Sequence, residues 1–502
     1  MDIFNFDLMS LFTINNILMI LLGTFVGLIF GAIPGLGTMV AIILLFPLTY
    51  GMSPLASVLM LVAAYQASEY GGSISSIILG IPGTPAAAAT LLDGNTLAKN
   101  ESPGKALTYS LTASTVGGLI GGIVLIFLCI PLAKFATKLS DPEFFLIGVL
   151  GLIAVGMLST KDKLKSMISV VLGLMIGTVG LDLLTGMPRV TFGSMQLMDG
   201  INLIALLIGV FALSELFNMI NTGLNKRQIV QSERLKTGLT AKEYKRIIKP
   251  MGLGSIVGSI TGIFPGLGAG AASWFGYTLV KKFSKTKDTF GKGNPEGIAG
   301  PESANNAVVG GALVPLLALG IPGSASTAII LGTFIVHGIQ PGPNVLSTNS
   351  DLIYGIFYGF LLTTIAMYIV GRFVTAFFSR ILTIPNAILV PIILIFCAVG
   401  VYISKSLYFD LWFALITGVI FFILHKLEFS LPSVILAFIL CPIIEESLRR
   451  TLVISDGSYS VFITRPFSLL LCLVILGIII LGVVQRFRKN QSKSNSDETV
   501  KL

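Results

Sequence analysis

Charge is what this sequence has least of. Only 11% of its 502 residues are Asp, Glu, Lys or Arg, against roughly a quarter in a soluble protein. With 54% of the chain hydrophobic, one aqueous core cannot bury so much apolar surface. A soluble globular protein is excluded, and lipid becomes the solvent for most of the chain. Cysteine is scarce too. Cys129, Cys397, Cys441 and Cys472 sit in apolar stretches without CxxC spacing, so they read as small buried hydrophobes, with neither a disulfide framework nor a metal site. There is no GxxxxGK[ST] phosphate loop, no HExxH and no GxSxG, which argues against ATP hydrolysis by that route and against the common hydrolases. No nucleophile–base pair stands at recognisable spacing, so no enzymatic activity and no catalytic residue is expected. The first residues, MDIFNFDLMSLF, lack a cationic region; they read as a short interfacial helix, not as a cleaved signal peptide.

Long apolar runs are what is present. A membrane helix needs about 20 largely apolar residues, and the stretches 17–33, 106–131, 143–159, 166–184, 200–220, 352–371, 386–404, 408–424 and 466–485 approach or meet that length. Together with shorter Gly/Pro-broken runs they predict an all-α polytopic membrane protein with about 10–14 transmembrane or re-entrant segments. The net charge of +9 is a topology signal, not a nucleic-acid one. Lys and Arg cluster in loop 222–249 and in the tail after Val484, and both are expected in the cytoplasm.

Two motifs repeat in the same order. GLIFGAIPGLG at 27–37 matches GSITGIFPGLG at 258–268, and LGIPG recurs at 79–83 and 319–323, at offsets of 231 and 240. This marks two homologous halves: 1–221, then the basic linker 222–249, then a second repeat over 250–345, C-terminal helices over 346–486 and a tail over 487–502. The repeat regions are stripped of cations, with no Lys or Arg in residues 1–98 or between Lys292 and Arg372. Residues 251–280, flanked by Lys249 and by Lys281 and Lys282, are too short for two crossings and predict a re-entrant hairpin turning at PGLG. A mirror-image hairpin entering from the other face explains the cation-free first copy and makes the halves inverted repeats.

Non-helical backbone is tolerated in a membrane only where it lines a cavity or is buried in protein. The Pro-Gly breaks expose helix N-termini, which attract anions without any cationic side chain. The expected anion-binding elements are therefore Pro34, Gly35, Gly37 and Thr38; Pro82, Gly83 and Thr84; Pro265, Gly266 and Gly268; and Pro322, Gly323 and Ser324, with Ser273, Ser326 and Thr327 close by. Gly27, Gly31, Gly258 and Gly262, spaced as GxxxG, read as close-packing positions. The adjacent amides Asn305 and Asn306 are harder to explain by packing and read as substrate or ion contacts. Ionisable residues at depth are costly, which makes Glu69 and Glu302 ion-coupling candidates. Each also has a plain reading, Glu69 as a helix-end residue and Glu302 as a helix N-terminal one. Glu215 and Asp182 read as helix-end or interhelical partners, His337 and His425 as membrane-interface residues, and Glu445 and Glu446 with Arg449 and Arg450 as a solvated charge cluster.

At these motifs the sequence resembles a known family. GAIPGLG, EYGGSISSIILGIPGTPAAAATLLDG, TGIFPGLGAG, GIAGPESANNAVVGGALVPLLALGIPGSASTAIILG and HGIQPGP are similar to the large membrane subunit of tripartite tricarboxylate transporters, the TctA type. The likeness is strong from about 15 to 345 and continues to about 486 as a helix pattern. It implies a bacterial inner-membrane permease for small carboxylates, working with a small membrane subunit and an extracytoplasmic solute-binding protein. Na⁺ or H⁺ is the implied coupling ion, and no other cofactor is expected. It points to Pro34–Thr38, Pro82–Thr84, Pro265–Gly268, Asn305–Asn306 and Pro322–Ser324 as translocation-site elements. Where many relatives place Asp after the second IPG, this chain has Ser324, so citrate itself is not implied. A stand-alone secondary carboxylate transporter and an anion channel are the alternative readings.

Overall fold

The computed structural model describes residues 6–158, 162–182, 185–223, 238–375 and 386–480. Among the described residues the regular structure is helical except for one short hairpin, β1 (Gly180–Leu181) and β2 (Pro188–Arg189). The first half holds α1 (Ile14–Ala32), α2 (Gly37–Leu45), α3 (Pro54–Leu79), α4 (Ala88–Asn100), α5 (Pro103–Ala136), α6 (Asp141–Leu158), α7 (Lys163–Gly177), α8 (Leu203–Leu207) and α9 (Ser214–Thr222). The second repeat holds α10 (Ala241–Ile263), α11 (Gly268–Phe283), α12 (Glu296–Leu319) and α13 (Ala325–Val336). It is followed by α14 (Val345–Thr348), α15 (Ser350–Thr375), α16 (Asn386–Lys405), α17 (Tyr408–Lys426), α18 (Leu431–Ile454), α19 (Val461–Thr464) and α20 (Pro466–Ile480). Among the described residues seven helices are long and apolar enough to cross a membrane. The protein is an all-α polytopic membrane protein.

Local chemistry sets the element ends. Ser53 caps α3 ahead of Pro54, and Gly80, left-handed at φ 72°, stops it; only glycine adopts that conformation freely. Gly320, at φ 74°, stops α12 in the same way. Helix α10 opens on a capping box of Thr240 and Glu243, inside the range read as linker. That linker's Lys226, Arg227, Arg234 and Lys236, and the whole C-terminal tail, lie outside the described residues. The N-terminal interfacial helix is a single 3-10 turn over Leu8–Phe12, with Leu8, Met9 and Phe12 exposed.

The duplication is visible as packing. A Cβ placed on Gly23, Gly27 or Gly31 of α1 would fall 2.1–2.4 Å from the carbonyl oxygens of Met60, Ala64 and Ser68 of α3. On Gly254, Gly258 or Gly262 of α10 it would fall 2.1–2.5 Å from those of Gly300, Ala304 and Val308 of α12. These contacts keep the offsets of 231 and 240 read from the motifs, and they place the GxxxG glycines in close helix packing. Because the contacts advance in step, α1 runs parallel to α3 and α10 parallel to α12.

The two central helices run antiparallel. Ser73, near the end of α3, bonds Glu302, near the start of α12. Asn95 of α4 donates to the Ile77 carbonyl at 3.0 Å. Asp93 of α4 accepts from the backbone N–H groups of Gly291, Gly293 and Asn294, just ahead of α12. So the hairpins α1–α2 and α10–α11 enter from opposite ends. The end where α12 begins carries Lys99, Lys105, Lys249, Lys281 and Lys282 and is called the basic end. Lys134, in the last turn of the 34-residue helix α5, and Lys138, just past it, lie at the other end.

The halves are interleaved. Helix α5 of the first half packs on α12: Gly117 lies against Ser303 and Gly121 against Ala307. Helix α15 from beyond the second repeat packs on α3, with Gly355 on Leu55 and Gly359 on Leu59. At the basic end, outside the apolar part of α10, Lys105 donates to Glu243 at 2.8 Å. This pairing and the Thr240 cap hold the Glu243 carboxyl down to about 2, from 4.5. Its contribution to stability is complete above about pH 4.5 and is lost as the pH falls toward 2. Lys105→Met is expected to flatten that acid limb in a melting-temperature series.

Candidate functional site

Both IPG segments fold back on the helix they follow. The Gly83 N–H donates to the Gly72 carbonyl at 3.2 Å, and a Cβ on Gly323 would lie 3.0 Å from Ala312 Cα. Each reaches seven residues back along its helix, about 10 Å at 1.5 Å per residue. Helices α4 and α13 then return to the end they left. In both halves the IPG glycine meets its PGLG arm, Gly83 beside the Gly31 carbonyl and Gly323 beside that of Gly262.

Each IPG segment also packs on the opposite half. A Cβ on Gly270 of α11 would lie 3.6 Å from Pro85. Ala86 clusters with Ala269, Ala272, Ala304 and Val308. Within the second half, the Gly266 N–H donates to the Gly323 carbonyl at 3.1 Å. Ser324 reaches the Tyr65 hydroxyl of α3 at 3.2 Å, and a Cβ on Gly332 of α13 would lie 3.3 Å from Phe46. Thus Pro82–Thr84 stands beside α11, and Pro322–Ser324 beside α3. Ile81 and Pro85 are exposed at the first IPG, whereas residues 321–330 at the second are all buried.

Not every predicted hydroxyl is open. Ser324 forms a capping box with Thr327 on α13, and Thr38 donates to Glu69 at 3.0 Å. The hydroxyls of Thr84 and Ser273 are buried with no hydrogen-bond partner among the described residues. The same holds for one amide atom of each adjacent asparagine: Asn306 Nδ2 donates to Asn305 Oδ1 at 2.8 Å, leaving Asn305 Nδ2 and Asn306 Oδ1 bare. Buried polar groups are nearly always paired, so this concentration of bare atoms marks a place where a ligand would complete the bonding.

Glu302 is not a plain helix N-terminal residue. It is fully buried and accepts from four hydroxyls: Ser73 of α3, Thr90 of α4, and Ser110 and Ser114 of α5 at 3.0 and 2.9 Å. Those four donors fill the lone pairs of the carboxylate. Glu69 is also buried but accepts one bond, from Thr38, and its Oε2 has no partner among the described residues.

Sequence reasoning passed over Gln66 and read Glu215 as a helix-end or interhelical partner. Gln66 accepts from Thr364 of α15 at 2.9 Å and leaves its Nε2 bare. The 240-residue offset would have found it, since it places Gln66 at the position of Asn306. Glu215 follows a π-helical turn over Ile208–Leu213, a frequent mark of functional sites. Its Oε1 stands 3.3 Å from where a Cβ on Gly35 would lie, so it flanks the first PGLG, the interhelical of the two readings.

Elsewhere the charged residues are tied into structure. Asp182 lies in the β1–β2 hairpin, not at a helix end, and pairs with Arg449 at 2.6 Å and Arg189 at 3.5 Å. Arg189 also pairs with Glu445. The cluster read as solvated is therefore a network joining this hairpin to α18, and it lines a cleft of about 400 Å³ away from the breaks. His337 is half-buried beside Ser57 at 3.2 Å, and His425 is exposed.

Comparison with known proteins agrees with this architecture. The model of the tripartite tricarboxylate transporter TctA family matches residues 17–436. A 52.8 kDa uncharacterized protein from the TAR-I ttuC' 3' region of Agrobacterium vitis is 35% identical over 478 residues, covering 95% of each chain. A second uncharacterized protein, from the TAR-II ttuC' 3' region of the same organism, is 36% identical over 236 residues, 47% of this chain and 98% of its own. No solved structure matches.

Proposed function

Since the chain belongs to the tripartite tricarboxylate transporter TctA family, a family of transporters, we propose that it is the permease subunit of an importer of small carboxylates in the bacterial inner membrane. It works with a small membrane subunit and an extracytoplasmic solute-binding protein, and a Na⁺ or H⁺ gradient drives uptake. The basic end faces the cytoplasm, as the positive-inside rule requires.

The observation that carries this reading is the packing of four chain breaks around α3 and α12, two helices that hold bare, buried amide atoms at Gln66, Asn305 and Asn306. Helix N-termini at the breaks supply partial positive charge, and Gln66 Nε2, Asn305 Nδ2 and the Thr84 and Ser273 hydroxyls supply directed donors. A carboxylate is thereby bound without a fixed cation, which lets it leave again. Interleaved inverted repeats offer such a site to each face in turn. The exposed first IPG and buried second IPG correspond to opening toward the basic end.

Uptake of radiolabelled citrate and a panel of di- and monocarboxylates into vesicles tests the proposal, with and without the two partner subunits and an imposed gradient. Gradient-driven accumulation is expected. A hydrogen bond to a charged group contributes about 1.5–3 kcal/mol, so Asn305→Ala, which removes the free Nδ2 donor, should raise KM roughly ten- to a hundredfold. Downhill leak alone would identify a channel, and full activity without partners a stand-alone carrier.

A further inference from the structure

The duplicated breaks are chemically unequal. At the first PGLG, Ser68 donates to Thr38 at 3.2 Å and Thr38 to Glu69 Oε1 at 3.0 Å. Glu69 is 5% exposed, and its Oε2 has no partner among the described residues. On the other side of the turn stands Glu215, which accepts only from Asn218, at 3.1 Å, and faces the exposed Gly35. Neither carboxylate is in an ion pair among the described residues, and no Lys or Arg occurs in residues 1–98. At the second PGLG the offsets of 231 and 240 replace Thr38 by Ala269 and Glu69 by Val309. There Gly266 faces Val155 instead of a carboxylate.

We infer that the two copies have divided the work: the first break binds the monovalent cation, with Glu69, Thr38 and Ser68 as its oxygen ligands and Glu215 as a second negative charge, while the second break is left to the anion. This rests on the transporter reading above. Half-helix C-terminal ends and unwound backbone are where transporters hold Na⁺ or H⁺, and α1 ends at this turn. An unpaired carboxylate oxygen in a dry interior is unstable unless a proton or a metal cation joins it. No neighbour supplies that charge. Helices α1, α2 and α13 carry no titratable side chain. On α3 itself the nearest are the Tyr65 and Tyr70 hydroxyls. On α12, Glu302 is filled by four hydroxyls. On α4, Asp93 is held by backbone N–H groups and Tyr277. The cations of α4, α5 and α15 nearest this region, Lys99, Lys105 and Arg372, are at least a third exposed.

The test uses the purified full-length chain in detergent, without substrate, and reads melting temperature. One arm replaces choline chloride by NaCl at fixed pH; the other lowers the pH from 8 to 6 without Na⁺. A ligand that binds only the folded form raises the midpoint, so a rise of several degrees is expected in one arm, and that arm identifies the ion. Glu69→Gln should abolish the rise, Thr38→Val and Glu69→Asp should reduce it, and Asn305→Ala should keep it. No rise in the wild-type chain in either arm, or the same rise in Glu69→Gln, overturns the inference. If Glu69→Gln does not fold, an undiminished rise in Thr38→Val and Glu69→Asp overturns it equally. A Glu69-dependent rise in a protein whose vesicles accumulate no carboxylate would sink the transport reading and leave the cation site standing. Accumulation without that dependence would do the reverse.

Discussion

Glu302→Ala is expected to leave little folded protein. The substitution strands Ser73, Thr90, Ser110 and Ser114, four buried hydroxyls on three helices that now meet at one carboxylate. Each unsatisfied buried group costs about 1–3 kcal/mol, so the sum is on the order of 4 kcal/mol or more, against a total stability of only about 5–15 kcal/mol. Glu302→Gln keeps one acceptor oxygen and is expected to fall between the two. Melting temperature and the monodisperse yield of the full chain read the difference. A wild-type melting temperature for Glu302→Ala would mean that the hydroxyl nest is not what joins α3, α4 and α5 to α12.

The second large effect separates two glycines of one helix. Gly258→Ala puts a Cβ 2.1 Å from the Ala304 carbonyl oxygen, a backbone atom that cannot turn aside. Helices α10 and α12 must part, at the typical overpacking cost of about 1–3 kcal/mol or more. Their displacement moves the PGLG turn that α10 carries, so transport is expected to fall with stability. Gly252→Ala, six residues earlier on the same helix, meets nothing within 4 Å. It is expected to stabilise by about 0.5–1 kcal/mol, because alanine loses less backbone freedom on folding. Thermal melts of the two variants side by side decide the matter, and equal effects would refute the close-packed seam.

Much of this architecture is legible in the sequence because it is written twice. The PGLG and IPG motifs, their offsets and the cation-free stretches anticipate the hairpins and the breaks, and GxxxG anticipates the seams at Gly27, Gly31, Gly258 and Gly262. What a linear reading missed depends on partners far away in the chain. Nothing local distinguishes Glu302 at the head of an apolar helix from a residue that merely favours a helix start; its four donors lie 188–229 positions earlier. Glu215 reads only as a helix-end or interhelical partner because its neighbour, the first PGLG turn, lies about 180 residues back. Arg449 with Glu445 has ideal i,i+4 spacing, which hid the additional tie to Asp182 and Arg189. Gln66 was the avoidable omission, since the offset that paired the IPG motifs also pairs Gln66 with Asn306.

The exchange of helices between the halves sets a schedule for biosynthesis. Helices α4 and α5 emerge from the ribosome early, yet the helix they pack on is α12, and Ser110 is separated from Glu302 by 192 residues. At about 5–20 residues per second, the first half waits in the bilayer for about 10–40 s with its hydroxyl nest empty and its Gly117–Gly121 groove uncovered. A chain truncated before α12 should accordingly be degraded, not accumulate as a stable half-transporter.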